Sequence, residues 1–424
     1  MNVLVVGGGG REHAVCWKLK QSPLVDKLYC APGNAGIAEL AECVNVKATD
    51  VDGIVKFVDE HKDIEFTVVT PDDPLALGLV DKLEAAGHPA FGPKANAAII
   101  EASKAFSKAL MKKYNIPTAA FEVFDDYEKA LAYVRRGEFP VVLKADGLAL
   151  GKGVLICETL ESAEEGLKQI MLDGAFGAAG NKVVVEEFLT GAEVSVLTFT
   201  DGKTVVPMIT SCDHKRALTG DKGLNTGGMG TFSPCAFYGE QTAKEVEQNI
   251  LLPTIAAMNA EGRTFQGVLY FGLMKTAKGM KVIEYNARFG DPETQVVLPM
   301  LKGDLMEIFM AVREGRLSEV KMDWEDGACV CVMLASGGYP EAYEKGKEMT
   351  FGDIDDGVLL FHSGTAKKDG KLVTAGGRVL GVTAKADTLD KAREIAYRNA
   401  DRITFEGKHF RTDIGIKYRD MKRV

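Results

Sequence analysis

Residues 281–293 read Lys281-Val282-Ile283-Glu284-Tyr285-Asn286-Ala287-Arg288-Phe289-Gly290-Asp291-Pro292-Glu293. Apolar runs at 267–274 and 280–286, separated by a short polar segment, predict a β-hairpin whose second strand carries Glu284 and Asn286. Alternate residues of a strand face the same side, so these two oxygen-bearing side chains lie together. Since Mg²⁺ takes one or two protein groups plus phosphate and water oxygens, the pair predicts a site for Mg²⁺, or Mn²⁺, beside phosphate. The alternative is an edge strand with both side chains in water.

The residues after this strand add an anion-binding group. Arg288 lies two positions beyond Asn286, and its guanidinium can form paired hydrogen bonds with a transferring phosphoryl group or a carboxylate. A turn follows at residues 289–292, where glycine and proline interrupt the strand. The segment therefore predicts a metal site and an arginine that faces the same ligand.

A second motif predicts a phosphate-binding loop. A buried strand at 141–144 ends in Lys144 and leads into a glycine-rich loop that contains Gly151, Lys152 and Gly153. A buried lysine needs an anionic partner, and backbone N–H groups of a glycine loop can close over phosphate oxygens. The loop is not a Walker A motif, because Lys152 is followed by glycine, whereas that motif has serine or threonine after its lysine. A hairpin turn with solvated lysines is the alternative.

Three further segments carry polar groups suited to ligands. Lys104, at the predicted start of a helix, is another candidate for phosphate. The strand at 182–187 leads into an extended linker whose backbone can bind an adenine edge, while Glu193 can accept from ribose hydroxyls; a plain domain hinge is the alternative. Residues 211–216, followed by the glycine-rich stretch 225–230, suit an amino acid that carries both charges, or a lid over phosphates; a ligand-free surface loop is the alternative.

The first hundred residues alternate strand and helix patterns, which predicts a parallel, doubly wound sheet. Ligands of such sheets bind beyond the carboxyl ends of the strands, where this chain carries Gly9, Asn34, Gly36 and Asp72. A glycine-rich first turn also occurs in dehydrogenases. Here Glu12 stands where the dinucleotide fingerprint requires glycine or alanine, and the second strand lacks a ribose-binding acid at its end, so we reject NAD.

Composition excludes other classes of protein. A net charge of −9 over 424 residues argues against a nucleic-acid partner. The sequence has no apolar run of ~18 residues and no signal peptide, so we expect a cytoplasmic protein with no membrane contact. The eight cysteines form no CxxC pair, and we interpret them as unpaired thiols in a reducing compartment.

The pattern changes along the chain predict an α/β (α+β multi-domain) protein of four parts. We place the first at 1–102, the second at 103–190, the third at 191–325 and a smaller C-terminal part at 326–424.

Taken together, in this order and at these distances, the motifs resemble the ATP-grasp superfamily and, more narrowly, its phosphoribosylamine–glycine ligase family of purine biosynthesis. The resemblance covers nearly the whole chain. It implies an N-terminal doubly wound domain, a two-part ATP-grasp module of 103–190 (lid) and 191–325 (metal site), and a small C-terminal α/β domain. It also implies ligation of glycine to 5-phosphoribosylamine through glycyl phosphate, with ATP as co-substrate. We expect a monomer that contacts the preceding pathway enzyme transiently.

The resemblance assigns roles to individual residues. For catalysis it implies Arg288, Lys144 and Lys152. For ATP it implies Lys104, Lys144, Gly151, Gly153, Glu186, Glu187, Phe188, Leu189 and Glu193. For glycine it implies Asp213, Lys215, Arg288, Gly290 and Asp291, and for phosphoribosylamine Gly9, Asn34, Gly36 and Asp72. Glu284 and Asn286 would hold the metal. Many ATP-grasp ligases have an acidic ligand on the preceding strand; residues 269–274 contain none, so the number of metal ions is left open.

Two other functions remain as alternatives. One is a nucleotide-binding regulatory protein without turnover, which would not need the metal pair and Arg288. The other is an ATP-grasp ligase for a different acid or amine, including a carboxylase that uses bicarbonate.

Overall fold

The computed structural model describes residues 1–148 and 153–416. Helices and strands alternate through most of it, in the mixed α/β architecture that the sequence predicts. Within these residues, no helix combines the length and apolar character needed to cross a membrane.

The N-terminal unit is built on a parallel sheet with strand order β3-β2-β1-β4-β5. Its elements are β1 (Asn2–Gly7), α1 (Gly10–Leu19), β2 (Lys27–Pro32), β3 (Glu42–Cys43), α2 (Val51–Glu60), β4 (Ile64–Val69), α3 (Asp72–Ala76), α4 (Leu79–Ala85), β5 (Ala90–Phe91) and α5 (Ala95–Ala102). The central strand β1 is apolar and buried on both faces, as a strand covered by helices on both sides must be. The predicted doubly wound domain is confirmed.

A small antiparallel sheet with strand order β6-β9-β7-β8 follows. Its unit comprises α6 (Lys104–Lys113), β6 (Phe121–Phe124), α7 (Tyr127–Val134), β7 (Val141–Ala145), β8 (Val154–Cys157), α8 (Leu160–Met171) and β9 (Val183–Glu187). Helices α7 and α8 pack on it around a hydrophobic core of their own. A new helix begins at Lys104 because Ser103 caps it, its hydroxyl accepting from Phe106 N at 3.0 Å.

One sheet of the middle unit has strand order β11-β10-β16-β17. The unit contains β10 (Ala192–Thr200), β11 (Val205–Pro207), β12 (Cys212–Asp213), β13 (Arg216–Leu218), β14 (Lys222–Asn225), β15 (Gly230–Ser233), α9 (Glu240–Val246), α10 (Leu252–Ala260), β16 (Gly267–Thr276), β17 (Gly279–Asn286), α11 (Thr294–Val297) and α12 (Leu305–Glu314). Strands β16 and β17 form the predicted hairpin, with Gly272 opposite Glu284 and Tyr270 opposite Asn286.

The C-terminal strands are integrated with the middle unit. Their elements are β18 (Ala328–Ala335), β19 (Thr350–Phe351), β20 (Leu359–His362), β21 (Thr365–Lys368), β22 (Lys371–Thr374), β23 (Arg378–Ala386), α13 (Leu389–Asp401) and β24 (Ile403–Thr404). One sheet has the order β12-β15-β18-β23-β20, so it joins strands from both sides of the predicted division at 325/326. The four-part division itself stays a proposal.

The interpretation of all cysteines as unpaired thiols is wrong for one pair. Cys212 and Cys235 form a disulfide that links β12 to the chain just after β15. The two cysteines are 23 residues apart in sequence, so no local spacing motif predicts that they pair. The other cysteines are free, and of these only Cys43 is exposed.

Candidate functional site

A cleft of about 790 Å³ lies where the described parts of the chain meet, and most of the predicted site residues line it. These are Asp72, Lys104, Lys144, Gly153, Glu186, Glu187, Phe188, Leu189, Glu193, Asp213, Lys215, Glu284, Asn286, Arg288 and Asp291. They come from segments as far apart in sequence as Asp72 and Asp291, so the fold brings the separate motifs into one site.

The predicted metal pair lies on β17, with its two side chains on the same face. Glu284 and Asn286 are half-buried, whereas Tyr285 between them is buried on the opposite side. Burial disfavours the charge of Glu284, but the ammonium groups of Lys215, Lys144 and Lys104 more than offset this and lower its pKa to about 2. The carboxylate is therefore ionised and able to bind a cation at neutral pH.

The residues around Glu284 fit a metal that is shared with phosphate. In the described residues, no cluster of three or more His, Cys, Asp and Glu side chains could enclose an ion. Glu284 and Asn286 offer two oxygens, which suits Mg²⁺ when phosphate and water supply the rest. Asn286 Oδ1 already accepts from Arg288 Nη2 at 3.1 Å, so the arginine orients the amide oxygen.

Lys144 has the anionic partner that its burial requires. Its Nζ lies 3.0 Å from Glu186 Oε1 and donates to Ile283 O at 3.0 Å. The predicted need for an anion is thus met by a carboxylate of the neighbouring strand β9. Lys108, to which the sequence analysis assigned no role, lies 3.0 Å from the other oxygen of Glu186.

The phosphate loop is described in part. Lys104 reaches into the cleft, donates to Gly147 O at 2.8 Å and has its pKa lowered, chiefly by burial. Gly153 lines the same cleft. Gly151 and Lys152 lie outside the described residues, so their predicted contacts remain predictions.

The linker after β9 forms one wall of the cleft. Glu187, Phe188 and Leu189 line it together with Glu193. The Glu187 carboxylate accepts from Ala120 N at 3.1 Å, which fixes the start of the linker against the chain before β6. Backbone groups at the wall can therefore meet a planar ligand edge.

A buried acidic pair lies at the other end of the cleft. Burial, together with the charge of Glu293, raises the pKa of Asp213 well above its usual range. Glu293, which the sequence analysis left without a role, is 4 % exposed, and its Oε1 lies 3.3 Å from Ser195 Oγ. A carboxyl group whose pKa is raised by a neighbouring carboxylate favours a cationic ligand, and an amino acid's ammonium group has that charge.

Arg288 lies between this acidic pair and the N-terminal unit. Its Nη2 is 3.0 Å from Glu101 Oε1, and its Nε is buried with no hydrogen-bond partner among the described residues. Burial opposes its charge, but Glu101 and Asp72 keep the pKa of Arg288 raised. The guanidinium is therefore permanently charged and has a donor left for an anionic ligand.

The C-terminal unit contributes an arginine that the sequence analysis missed. Arg378, the first residue of β23, donates through Nη1 to Gly227 O at 2.8 Å and to Asp291 O at 2.7 Å. Its Nη2 lies 3.3 Å from Asp291 Oδ2. Tyr339 contacts the same glycine as Arg378, since its hydroxyl accepts from Gly227 N at 3.1 Å. No motif around Arg378 indicated this role; only the sheet that pairs β18 with β23 places it here.

Four predicted substrate residues do not line the cleft: Gly9, Asn34, Gly36 and Gly290. The Gly9 N–H donates to Glu12 Oε2 at 2.6 Å. Asn34 is occupied within the protein, because its amide donates to Gly8 O and His362 O and accepts from Gly36 N. The contacts of these four residues with a substrate therefore stay predictions. Asp72 of the N-terminal unit, by contrast, lines the cleft.

Comparison with known proteins gives matches along the chain. Family models described as phosphoribosylglycinamide synthetase N domain, ATP-grasp (A) domain and C domain match residues 1–101, 102–294 and 329–417. A phosphoribosylamine–glycine ligase of Caldanaerobacter subterraneus subsp. tengcongensis is 49 % identical over 418 residues, covering 99 % of this chain and 100 % of the relative. That of Halalkalibacterium halodurans is 47 % identical, covering 98 % and 97 %. The crystal structure of a phosphoribosylamine–glycine ligase from Thermotoga maritima matches with a TM-score of 0.86 at 35 % identity, covering 98 % and 100 %.

Proposed function

Because this chain belongs to the phosphoribosylglycinamide synthetase family, we propose that its cleft binds ATP, glycine and 5-phosphoribosylamine and joins the last two. The enzyme is an ADP-forming carbon–nitrogen ligase of purine biosynthesis, and its product is glycinamide ribonucleotide. One observation carries the residue-level proposal: the segment from Glu284 to Glu293 lines a single cleft, with Glu284 beside the lysines and Glu293 beside Asp213.

The lysine-rich end is the nucleotide site. The linker residues Glu187 to Leu189 meet the adenine, Glu193 accepts from the ribose, and Lys104 and Lys144 neutralise the phosphates. Gly151, Lys152 and Gly153 belong to the loop that we expect to cover the phosphates. Two lysines and a glycine loop suit this task, because phosphoryl transfer depends mainly on positioning and on neutralising charge.

Glu284 and Asn286 would hold Mg²⁺ or Mn²⁺ at the terminal phosphates. Such a metal polarises phosphoryl oxygens and offsets their developing charge. The residues fit this role because Glu284 is ionised and next to the phosphate lysines, whose charges lower its pKa. Lys215 also neutralises Glu284, with Nζ at 2.8 Å from Oε1.

The acidic end is the glycine site. Asp213 and Glu293 receive the ammonium group, Arg288 directs a donor toward the carboxylate, and Asp291 is held in place by Arg378. A glycine carboxylate oxygen attacks the terminal phosphorus of ATP, which gives glycyl phosphate and ADP. The amine of 5-phosphoribosylamine then attacks the acyl carbon, phosphate leaves, and the amine loses a proton as the amide forms.

The N-terminal unit faces the amine substrate through Asp72, the predicted contact of that unit that lines the cleft. Gly9, Asn34, Gly36 and Gly290 act, in this proposal, through the backbone that they shape. We also propose that the chain works as a monomer that receives its unstable amine by transient contact with the preceding enzyme; sedimentation at working concentrations tests the monomer.

The decisive experiment measures ADP from purified protein with Mg·ATP, glycine and freshly prepared phosphoribosylamine, omitting each in turn. We expect ADP to depend on all components. Glycine labelled with ¹⁸O in its carboxylate should transfer one label to phosphate, because the carboxylate oxygen ends there. Formation of ADP without glycine, or phosphate without label, contradicts the proposal. Replacing glycine with alanine tests the alternative of a ligase for another acid, and a regulatory protein would give no ADP at all.

A further inference from the structure

Lys108 is a buried lysine that the proposed reaction does not use. It lies on α6 with 2 % of its surface exposed. Its Nζ is 3.0 Å from Glu186 Oε2 and donates to Thr118 Oγ1 at 2.8 Å. Because Lys144 lies 3.0 Å from the other carboxylate oxygen, Glu186 is held between two ammonium groups.

This arrangement is tied to the metal strand. Thr118 Oγ1 donates to Val282 O at 2.7 Å, and Lys144 Nζ donates to Ile283 O at 3.0 Å. Both carbonyls belong to β17, which ends in the metal pair. The position of the Glu186 carboxylate is therefore fixed relative to the site where the phosphates bind.

One carboxylate oxygen of Glu186 can accept a further hydrogen bond. It is 4 % exposed and lines the cleft. Although Lys144 is within ion-pair distance of Oε1, this oxygen accepts no hydrogen bond from the described residues. A buried carboxylate oxygen without a donor favours a ligand that brings one.

Charge determines which ligand fits this oxygen. An ionised carboxylate can only accept hydrogen bonds, whereas a protonated one can also donate. The 6-amino group of adenine donates, and the 6-oxo group of hypoxanthine or guanine accepts. A carboxylate paired with two lysines therefore favours a 6-amino purine and repels a 6-oxo purine.

We propose that Lys108 is a positioning residue that keeps the Glu186 carboxylate in one orientation, so that the cleft prefers 6-amino over 6-oxo purine nucleotides. The proposal rests on the nucleotide site given above. Lys108 also lines the cleft, but its Nζ is engaged by Glu186 and Thr118, so it acts through Glu186. Without Lys108, the carboxylate keeps a single lysine and can turn, so that its oxygen no longer accepts from a 6-amino group in a fixed direction.

The test compares Lys108→Met with the matched control Lys112→Met. Both lysines lie on α6 and face the same ring, with Nζ at 5.5 Å and 5.6 Å from the centroid of Phe121, but Lys112 is exposed. The dissociation constants of Mg·ATP and Mg·ITP are measured by calorimetry without glycine. We expect the preference for ATP to fall at least about tenfold in Lys108→Met, as when a hydrogen-bonding site loses its discrimination, and to be unchanged in Lys112→Met.

Kinetics separates positioning from a merely structural role. In Lys108→Met, KM for ATP should rise while kcat at saturating ATP changes less than about twofold. Equal affinities of the wild type for ATP and ITP, or an unchanged preference in folded Lys108→Met, would overturn the proposal.

If Lys108→Met does not fold, Thr118→Val takes its place. That variant removes the hydroxyl that orients Nζ, so the ATP preference should fall in the same direction by a smaller factor; an unchanged preference overturns the proposal. Since binding is measured without glycine, a protein that binds ATP selectively but joins no glycine would contradict the proposed ligation and leave this inference standing.

Discussion

The Nζ of Lys215 lies 2.8 Å from Oε1 of Glu284, so a lysine neutralises the carboxylate that we assign to the metal. A divalent cation is a stronger partner for this oxygen than an ammonium group on a flexible stem. A divalent cation at Glu284 would therefore compete with Lys215 for this oxygen.

We expect Glu284→Gln to abolish turnover while the chain stays folded. A metal contributes several kcal/mol of charge stabilisation in phosphoryl transfer, which corresponds to a rate loss of roughly a hundredfold or more. ADP formation measures the loss, and circular dichroism checks the fold. Glu240→Gln is the control, because that carboxylate is 84 % exposed and pairs only with Lys244 one helical turn away. Normal activity in Glu284→Gln would remove this residue from the metal site.

The sequence predicted the parts of the site that depend on local periodicity. The same-face placement of Glu284 and Asn286 followed from strand alternation, and the rejection of NAD followed from Glu12. The structure explains why a glutamate occupies position 12, because its carboxylate accepts from Gly9 N, Arg11 Nε and Thr70 Oγ1. A glutamate that closes the glycine turn in this way occupies the backbone donor that a pyrophosphate would need.

Long-range contacts could not be read from local patterns. A buried lysine at position 144 predicts an anion, but not that Glu186 supplies it. Arg378 reaches Asp291 only because the C-terminal strands extend a sheet that begins with β12 and β15. The pairing of Cys212 with Cys235 has the same origin, since both flank strands of that sheet.

Arg378→Met should weaken glycine binding more than ATP binding. The guanidinium makes three contacts with Gly227 and Asp291. Hydrogen bonds to charged groups contribute about 1.5–3 kcal/mol each, so we expect KM for glycine to rise at least about tenfold. KM for ATP should change less than about twofold, since Arg378 lies at the acidic end of the cleft.

The matched control is Arg398→Met. Arg398 belongs to the same C-terminal unit and forms an ion pair with Asp355 at 2.7 Å, but it does not line the cleft. Steady-state kinetics with each substrate varied in turn compares the two variants. Equal changes in both KM values for Arg378→Met would contradict a local role at the glycine site.

Two histidines that join the N- and C-terminal units should make stability depend on pH. The backbone N–H of His362 donates to Nδ1 of His13 at 2.8 Å, which requires that nitrogen to be unprotonated. Burial, and next the neighbouring His362, lower the pKa of His13 to about 3. Burial, with a smaller effect of Lys367, lowers that of His362 to about 4.

The direction in which stability changes with pH follows from proton uptake by the unfolded chain. Unfolded histidines bind protons below about pH 6.5, whereas these two do so in the folded protein only near pH 3–4. Their contribution is complete above about pH 6.5 and is lost as pH falls toward 4, by about 1.4 kcal/mol per pH unit for each histidine. Urea unfolding of the wild type and His13→Gln between pH 4.5 and 8 measures it. Below pH 6, the free energy of unfolding should change less steeply with pH in the variant than in the wild type. Equal slopes would contradict the prediction.

Gly36→Ala separates a structural role of this glycine from the predicted contact with phosphoribosylamine. A Cβ at position 36 would collide with the ring of His362 and lie 2.6 Å from Cε1 of His13. The backbone is not the obstacle, because Gly36 has φ −79°, which alanine adopts readily. Overpacking of this kind costs about 1–3 kcal/mol, so the free energy of unfolding should fall by that amount. Gly137→Ala is the control, since its Cβ would meet only backbone oxygens at 3.4 Å or more.

If the role of Gly36 is structural, kcat and KM for phosphoribosylamine will stay within about twofold of wild type at a temperature where Gly36→Ala is folded. The reason is that the residue lies outside the residues that line the cleft and contacts both histidines that connect the N- and C-terminal units. A rise in KM for phosphoribosylamine with unchanged stability would instead assign the backbone at Gly36 to the substrate.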